Sequence, residues 1–141
     1  MRFVIVGGRC DLIEGVDVVH VPWSEDTEVS ILNSFDVGIM PLFNDEWAKG
    51  KCAFKLIQYM ACGVPVVASA VGANIDVVDD TCGFLADDED SWVDGLERLR
   101  SDAGLRQRMG ASARLRIERE YSLGRTLPIM ESVMRTVAER R

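Results

Sequence analysis

Short apolar, β-branched runs alternate along this chain with longer stretches of helical period. The apolar runs are Phe3 to Val6, Val18 to Val21, Val37 to Met40 and Pro65 to Ala68. Separated by amphipathic segments, they predict parallel strands joined by helical crossovers. Ser24 followed by Thr27 and Glu28 marks a capped helix start running to Asn33. From Ala53 to Cys62 the apolar positions Phe54, Leu56, Ile57, Met60 and Ala61 recur at helical spacing. Gly63 stops that helix, and Val64-Pro65 returns the chain to extended backbone. Beyond Gly83-Phe84-Leu85 the chain turns charged, helical from Glu89 through Arg119 and helical again from about Thr126 to the C-terminus, with no strand expected there. Leu105, Met109, Leu115 and Ile117 interrupt the charges of Arg106 to Arg119, which reads as a solvated amphipathic helix. The last helix, to Ala138, is expected to pack its Leu127, Met130, Val133, Met134 and Val137 side and to tolerate Pro128 in its first turn. The fold class is α/β: an open parallel Rossmann-like sheet with flanking helices and a C-terminal helical segment, with no internal repeat.

Composition narrows the picture. The 141 residues, 48% of them hydrophobic, fit one globular domain. No apolar run approaches the roughly 20 residues a membrane span needs, and the N-terminus does not read as a signal peptide. Acidic residues outnumber basic ones 23 to 16, for a net charge of −7, which argues against nucleic acid as a partner. The four cysteines, Cys10, Cys52, Cys62 and Cys82, form no C-x-x-C pair and no Cys/His cluster, and His20 is the sole histidine. Reduced thiols in a cytoplasm are the preferred reading.

The segment from Asp36 to Asp76 runs strand, loop, helix, strand, loop. In an open α/β sheet, ligands sit at the carboxyl ends of strands, where helix N-termini point. The turn from Gly50 to Lys55 is expected there, with free N–H groups suited to a phosphate or diphosphate. All three lysines of the chain, Lys49, Lys51 and Lys55, fall at this loop, although arginine is used thirteen times elsewhere. Lysine offers a compact charge that reaches phosphate; an exposed loop charged for solubility is the alternative.

FKLIQYMACGVPVVAS, then VGANIDVV, then GFLADDEDSWVDGLERLRSDAGLRQRMGASARLRIEREYS resemble the C-terminal domain of glycosyltransferase family 4. In that family a helix reading L-E-A-M-A-C-G-x-P-V-V-A-S precedes a Gly-x-x-x-Glu loop. The resemblance runs from about Val4 to Tyr121. It implies the nucleotide-sugar-binding half of an enzyme of the type B fold, which is built from two Rossmann-like domains. It further implies a nucleoside-diphosphate-sugar donor held without metal or other cofactor, and glycosyl transfer with retention to an unknown acceptor.

Carried over residue by residue, the resemblance places diphosphate and sugar contacts on Gly50, Lys51, Cys52, Ala53, Phe54 and Lys55, and the ribose on Gln58. The family's two glutamates, separated by seven residues, fall on Gly50 and Gln58, so both are absent here. Gln58 retains hydrogen-bonding capacity through its amide. Gly50 has no side chain, and sugar contact must shift to Lys51, the Cys52 backbone, Glu46 or Asp45. Gly7, Gly8, Val21 and Trp23 match loops near the donor base, where Trp23 stacks on the base or instead packs at the rim of the core. Asp76 matches the family's loop acid with a shorter reach.

The resemblance also implies what this single domain, residues 1–141, lacks: the family's first strand–helix unit, which brings an Arg and a Lys to the diphosphate, and the acceptor domain. Little or no turnover is therefore expected from the chain alone, and self-association is expected where sheet edges near Phe3 to Val6 or Val37 to Met40 lie open. A membrane-lipid acceptor is not indicated by the sequence. Two alternatives stay open: a noncatalytic nucleotide- or partner-binding module, favoured by loss of both glutamates, and a sugar-nucleotide epimerase of the same architecture, which the helix around Met60 to Gly63 fits less well.

Overall fold

A computed structural model describes residues 1–9 and 14–139, which leaves Cys10 outside the described residues. Strands β1 (Arg2–Val6) and β2 (Asp17–Val21) pair in parallel, from Arg2 opposite Asp17 to Val6 opposite Val21. Helix α1 (Glu25–Leu32) follows, then β3 (Gly38–Met40), the short α2 (Glu46–Lys49), α3 (Phe54–Ala61), β4 (Val66–Ser69), the short α4 (Asn74–Val77) and β5 (Gly83–Ala86). Strands β3, β4 and β5 form a second parallel sheet in that order. Three helices complete the chain: α5 (Glu89–Ser101), α6 (Ala103–Glu120) and α7 (Leu123–Ala138).

The parallel α/β class is thus as the alternating pattern implies, but the sheet is interrupted. β1 and β3 line a cleft of about 370 Å³, with Tyr59 of α3 and Leu96 and Leu99 of α5 also on its walls. Among the described residues, each of these two strands pairs on one side only, so Phe3 to Val6 and Val37 to Met40 do present open edges.

The core is built around β4, every residue of which is buried, as a central parallel strand requires. Side chains alternate across a strand. Val66 and Ala68 accordingly join Leu56 and Met60 of α3 and Ala113 and Ile117 of α6, while Val67 joins Leu99 of α5 and Met109 of α6 on the opposite face. At the crossing of α6 with the α3–β4 turn, Gly63 adopts φ +72 and a Cβ on Gly110 would collide with the Gly63 carbonyl oxygen.

Several local expectations need correction. β5 adds a strand beyond the four apolar runs: only four residues long and opening on Gly83, it carries too little apolar alternation to stand out. Asp102 ends α5 and starts α6, its extended backbone (φ −120, ψ 99) breaking the single helix expected from Glu89 to Arg119 and its Oδ1 accepting from the Leu105 N–H at 2.8 Å. Leu115 lies outside the buried stripe of α6, at 58% exposure. α7 begins at Leu123, which puts Pro128 in its second turn, where the missing N–H removes one intrahelical bond. The face expected to pack is uncovered: Leu127, Met130, Val133, Met134 and Val137 are all exposed. The neighbouring α6 turns its buried apolar stripe, Met109, Ala113 and Ile117, toward the sheets and not toward α7. No helix among the described residues is long and apolar enough to cross a membrane.

Candidate nucleotide-sugar site

Because every pairing is parallel, the turns after β1 and β2 lie at one sheet edge, and those after β3 and β4 at the corresponding edge of the second sheet. Gly7 follows β1 at φ +71, in the left-handed region that favours glycine, and donates its N–H to the Val21 carbonyl at 2.9 Å. That bond joins the first turn to the second. Gly7, Gly8, Val21 and Trp23, with Arg9, His20 and Pro22, enclose a concavity of about 550 Å³. Trp23 is 54% exposed there, its Cβ close against the Gly7 turn.

Across the second sheet edge stands the N-terminus of α3. Its preceding residue, Ala53, is buried and left-handed at φ 55, the one non-glycine with positive φ among the described residues. Such a conformation costs about 1–2 kcal/mol for an L-residue, and backbone strain of this kind clusters at ligand sites. Alanine cannot cap, and no side chain bonds the first N–H groups of α3. These donors therefore stay available to an anion. Phe54 and Lys55, the first two helical residues, are both exposed.

The two halves are tied together by a residue that the sequence marks only as part of a helix start. Glu28, on α1, accepts from the Trp23 indole N–H at 3.0 Å and from the Lys55 ammonium at 3.3 Å on Oε1, and from the Gln58 amide at 3.0 Å on Oε2. Three predicted site residues, Trp23 after β2 and Lys55 and Gln58 one turn apart on α3, thus converge on one carboxylate. Hydrogen bonding from Trp23 is the main cause that holds the Glu28 carboxyl below the ordinary glutamate range; burial opposes it, and Lys55 and Gln58 reinforce it. With its N–H group turned to Glu28, Gln58 leaves its Oε1 buried and without a partner among the described residues. Ser24, at the start of α1, makes no side-chain capping bond. The signal for Glu28 was its place five residues after a tryptophan, which becomes meaningful only once α1 is folded against α3.

The other candidates separate from this cluster. Lys49 pairs with Glu46 at 2.8 Å within the single turn of α2, so Glu46 already has a local cation. Asp45 caps α2, accepting from the Ala48 N–H at 2.7 Å. Lys51 and Cys52 are exposed between α2 and α3, and Lys51 makes no salt bridge among the described residues. A Cβ on Gly50 would meet only ordinary contacts, 3.5 Å from the Trp47 carbonyl oxygen, so the backbone does not demand glycine there. Asp76 lies exposed on α4, where its carbonyl accepts from Arg116 and from the Tyr121 hydroxyl.

Parallel strands, an interrupted sheet and a ligand-ready helix start define a Rossmann-like α/β domain. The pattern of the glycosyl transferases group 1 family matches residues 1–102, and the chain belongs to that family. It is 32% identical over 124 residues to a D-inositol 3-phosphate glycosyltransferase of Salinispora tropica, covering 85% of this chain and 24% of that protein. A protein of the same description from Xylanimonas cellulosilytica is 37% identical over 102 residues, covering 69% of this chain and 23% of its own length. The chain thus spans about a quarter of the length of these relatives. In fold it is similar to the sucrose-phosphate synthase of Thermosynechococcus elongatus, at a TM-score of 0.72 and 21% identity over 90% of this chain and 32% of that one. An Anabaena protein solved in complex with UDP-glucose matches at a TM-score of 0.66 and 17% identity, over 86% of this chain and 33% of its own.

Proposed function

We propose that this chain is the donor-binding, C-terminal domain of a family 4 glycosyltransferase, which holds a nucleoside-diphosphate sugar for retaining transfer to an acceptor bound by a second domain. The observation that carries this reading is the convergence of Trp23, Lys55 and Gln58 on Glu28, beside an uncapped helix start preceded by the strained Ala53.

The base enters the concavity of Gly7, Gly8, Val21 and Trp23, with the indole face available for stacking. Gln58 addresses the ribose. The diphosphate meets the free N–H groups of α3, with Lys51 and Lys55 supplying charge. Leaving-group charge grows on the diphosphate as the glycosidic bond breaks, and preorganised N–H donors and ammonium groups stabilise it there. The reacting centre lies in a cleft completed by the acceptor domain, whose closure excludes water from an oxocarbenium-like transition state. Transfer therefore requires that second domain as well as this one.

A noncatalytic nucleotide-binding module is the second reading, favoured by Gly50, which places no side chain near the sugar. A thermal-shift series with UDP-, GDP- and ADP-sugars tests the donor assignment, because a ligand of the native state raises stability by mass action. One series should raise the melting temperature in a saturable way; no shift with any of them refutes nucleotide-sugar binding. Joining the chain to an acceptor domain and assaying transfer separates the two readings, since a binding module stays silent.

A further inference from the structure

Glu28 is far less exposed than the lysine it holds: its side chain is 21% accessible, against 53% for Lys55. A carboxylate offers roughly four acceptor positions, and three are used here. Two of its partners, the Trp23 indole and the Gln58 amide, are neutral and can still be met by an uncharged acceptor, though more weakly, since both bonds also favour the charged carboxylate. Of the three, Lys55 alone carries a charge for which an anionic ligand competes. The negative charge of Glu28 sits beside the second residue of α3, at the helix start whose N–H groups are uncapped, where an anionic ligand would feel it as repulsion.

From this arrangement we propose that Glu28 is a resident counter-anion of the donor site. It holds Lys55 in the unliganded protein and yields it to the incoming diphosphate, while its bonds to Trp23 and Gln58 keep both in place. The exchange breaks one contact, Lys55 Nζ to Glu28 Oε1, and forms one from Nζ to a phosphate oxygen; no proton changes hands. The inference rests on the reading of the site as a nucleotide-sugar site. It adds a positioning residue on α1 that the loop and helix motif does not contain.

Glu28→Gln separates charge from shape. A glutamine there can accept the Trp23 N–H through its oxygen and donate to the Gln58 Oε1 once the Gln58 amide turns over. The ionic hold on Lys55 is lost, and the two neutral bonds are weakened. Inorganic pyrophosphate, titrated by calorimetry into the whole chain at low ionic strength, should bind Glu28→Gln about two- to five-fold more tightly than the unmodified protein, the range set by a partly exposed ion pair. The gain should vanish when Glu28→Gln is introduced into a Lys55→Met background. A residue that merely ties α1 to α3 cannot produce a gain, so unchanged or weakened affinity in a folded Glu28→Gln protein overturns the proposal. A gain that persists undiminished in Lys55→Met overturns it as well, because the effect would then be a general field and not an exchange of partners. If the unmodified protein binds neither pyrophosphate nor any nucleoside diphosphate, the donor-site reading falls first and this inference falls with it.

Discussion

Glu28 separates the structural account from one built on motifs. A motif comparison directs attention to Gly50 and Gln58, where two glutamates are absent, and to the lysines between them. The folded chain keeps a carboxylate at this place, brought from α1, and joins it to Lys55 and Gln58. If Lys51 and Lys55 serve the diphosphate, Lys51→Met and Lys55→Met should each weaken nucleoside diphosphate binding about five- to ten-fold, while Lys49→Met, whose partner is Glu46, should change it little. Gln58→Ala should weaken nucleoside monophosphate and diphosphate alike, since ribose contact is common to both. Calorimetric titrations of the four variants check this, and equal affinity in all of them would return the lysines to an exposed loop. The pH dependence follows from the lowered pKa of Glu28. A carboxyl whose folded pKa is depressed contributes stability above its unfolded value, about 4.3, and loses that contribution as pH falls through the folded value. The difference in melting temperature between the unmodified protein and Glu28→Gln should therefore shrink from pH 6 toward pH 3, and a constant difference would contradict the assignment.

At the level of elements, period and punctuation made most of the fold legible. The four expected strands lie where the apolar runs placed them, and α3 ends at the Cys62-Gly63 pair that marked its stop. The misses have two physical causes, a neighbour distant in sequence or the local reach of one side chain. β5 is identified by its pairing with β4 and by little in its own four residues. The break at Asp102 is set by the reach of a short carboxylate to the Leu105 N–H, within a run whose composition is uniformly helical. Likewise Gly110 reads as a poor helix residue in the middle of α6, and only the tertiary structure gives its reason: the Gly63 carbonyl occupies the space of its Cβ. Gly110→Ala should gain helix propensity yet destabilise the fold by about 1–3 kcal/mol through overpacking, measurable as a lower midpoint in urea. A stabilised variant would show that α6 does not pack this closely on the α3–β4 turn.

On the scale of the whole molecule, two surfaces are left without partners among the described residues: the facing edges of β1 and β3, and the apolar side of α7. Unpaired strand edges and contiguous apolar patches promote association. The isolated chain should self-associate in sedimentation at micromolar concentration, and Met130→Lys with Val133→Lys should reduce that tendency without lowering stability. A monodisperse monomer would count against exposure of these surfaces in solution.

The central claim is that nucleotide sugar binds along the carboxyl edge of the sheets, bridging the turns after β1 and β2 to the start of α3. Amide chemical-shift mapping tests it most directly, using whichever UDP-, GDP- or ADP-sugar stabilises the chain. Saturable shifts should concentrate at Gly7 and Gly8, at Val21 to Trp23 with the Trp23 indole N–H, and from Lys51 to Gln58. Shifts confined to the cleft between β1 and β3, around Val4, Ile39 and Leu99, or an absence of shifts with every donor, would contradict the account.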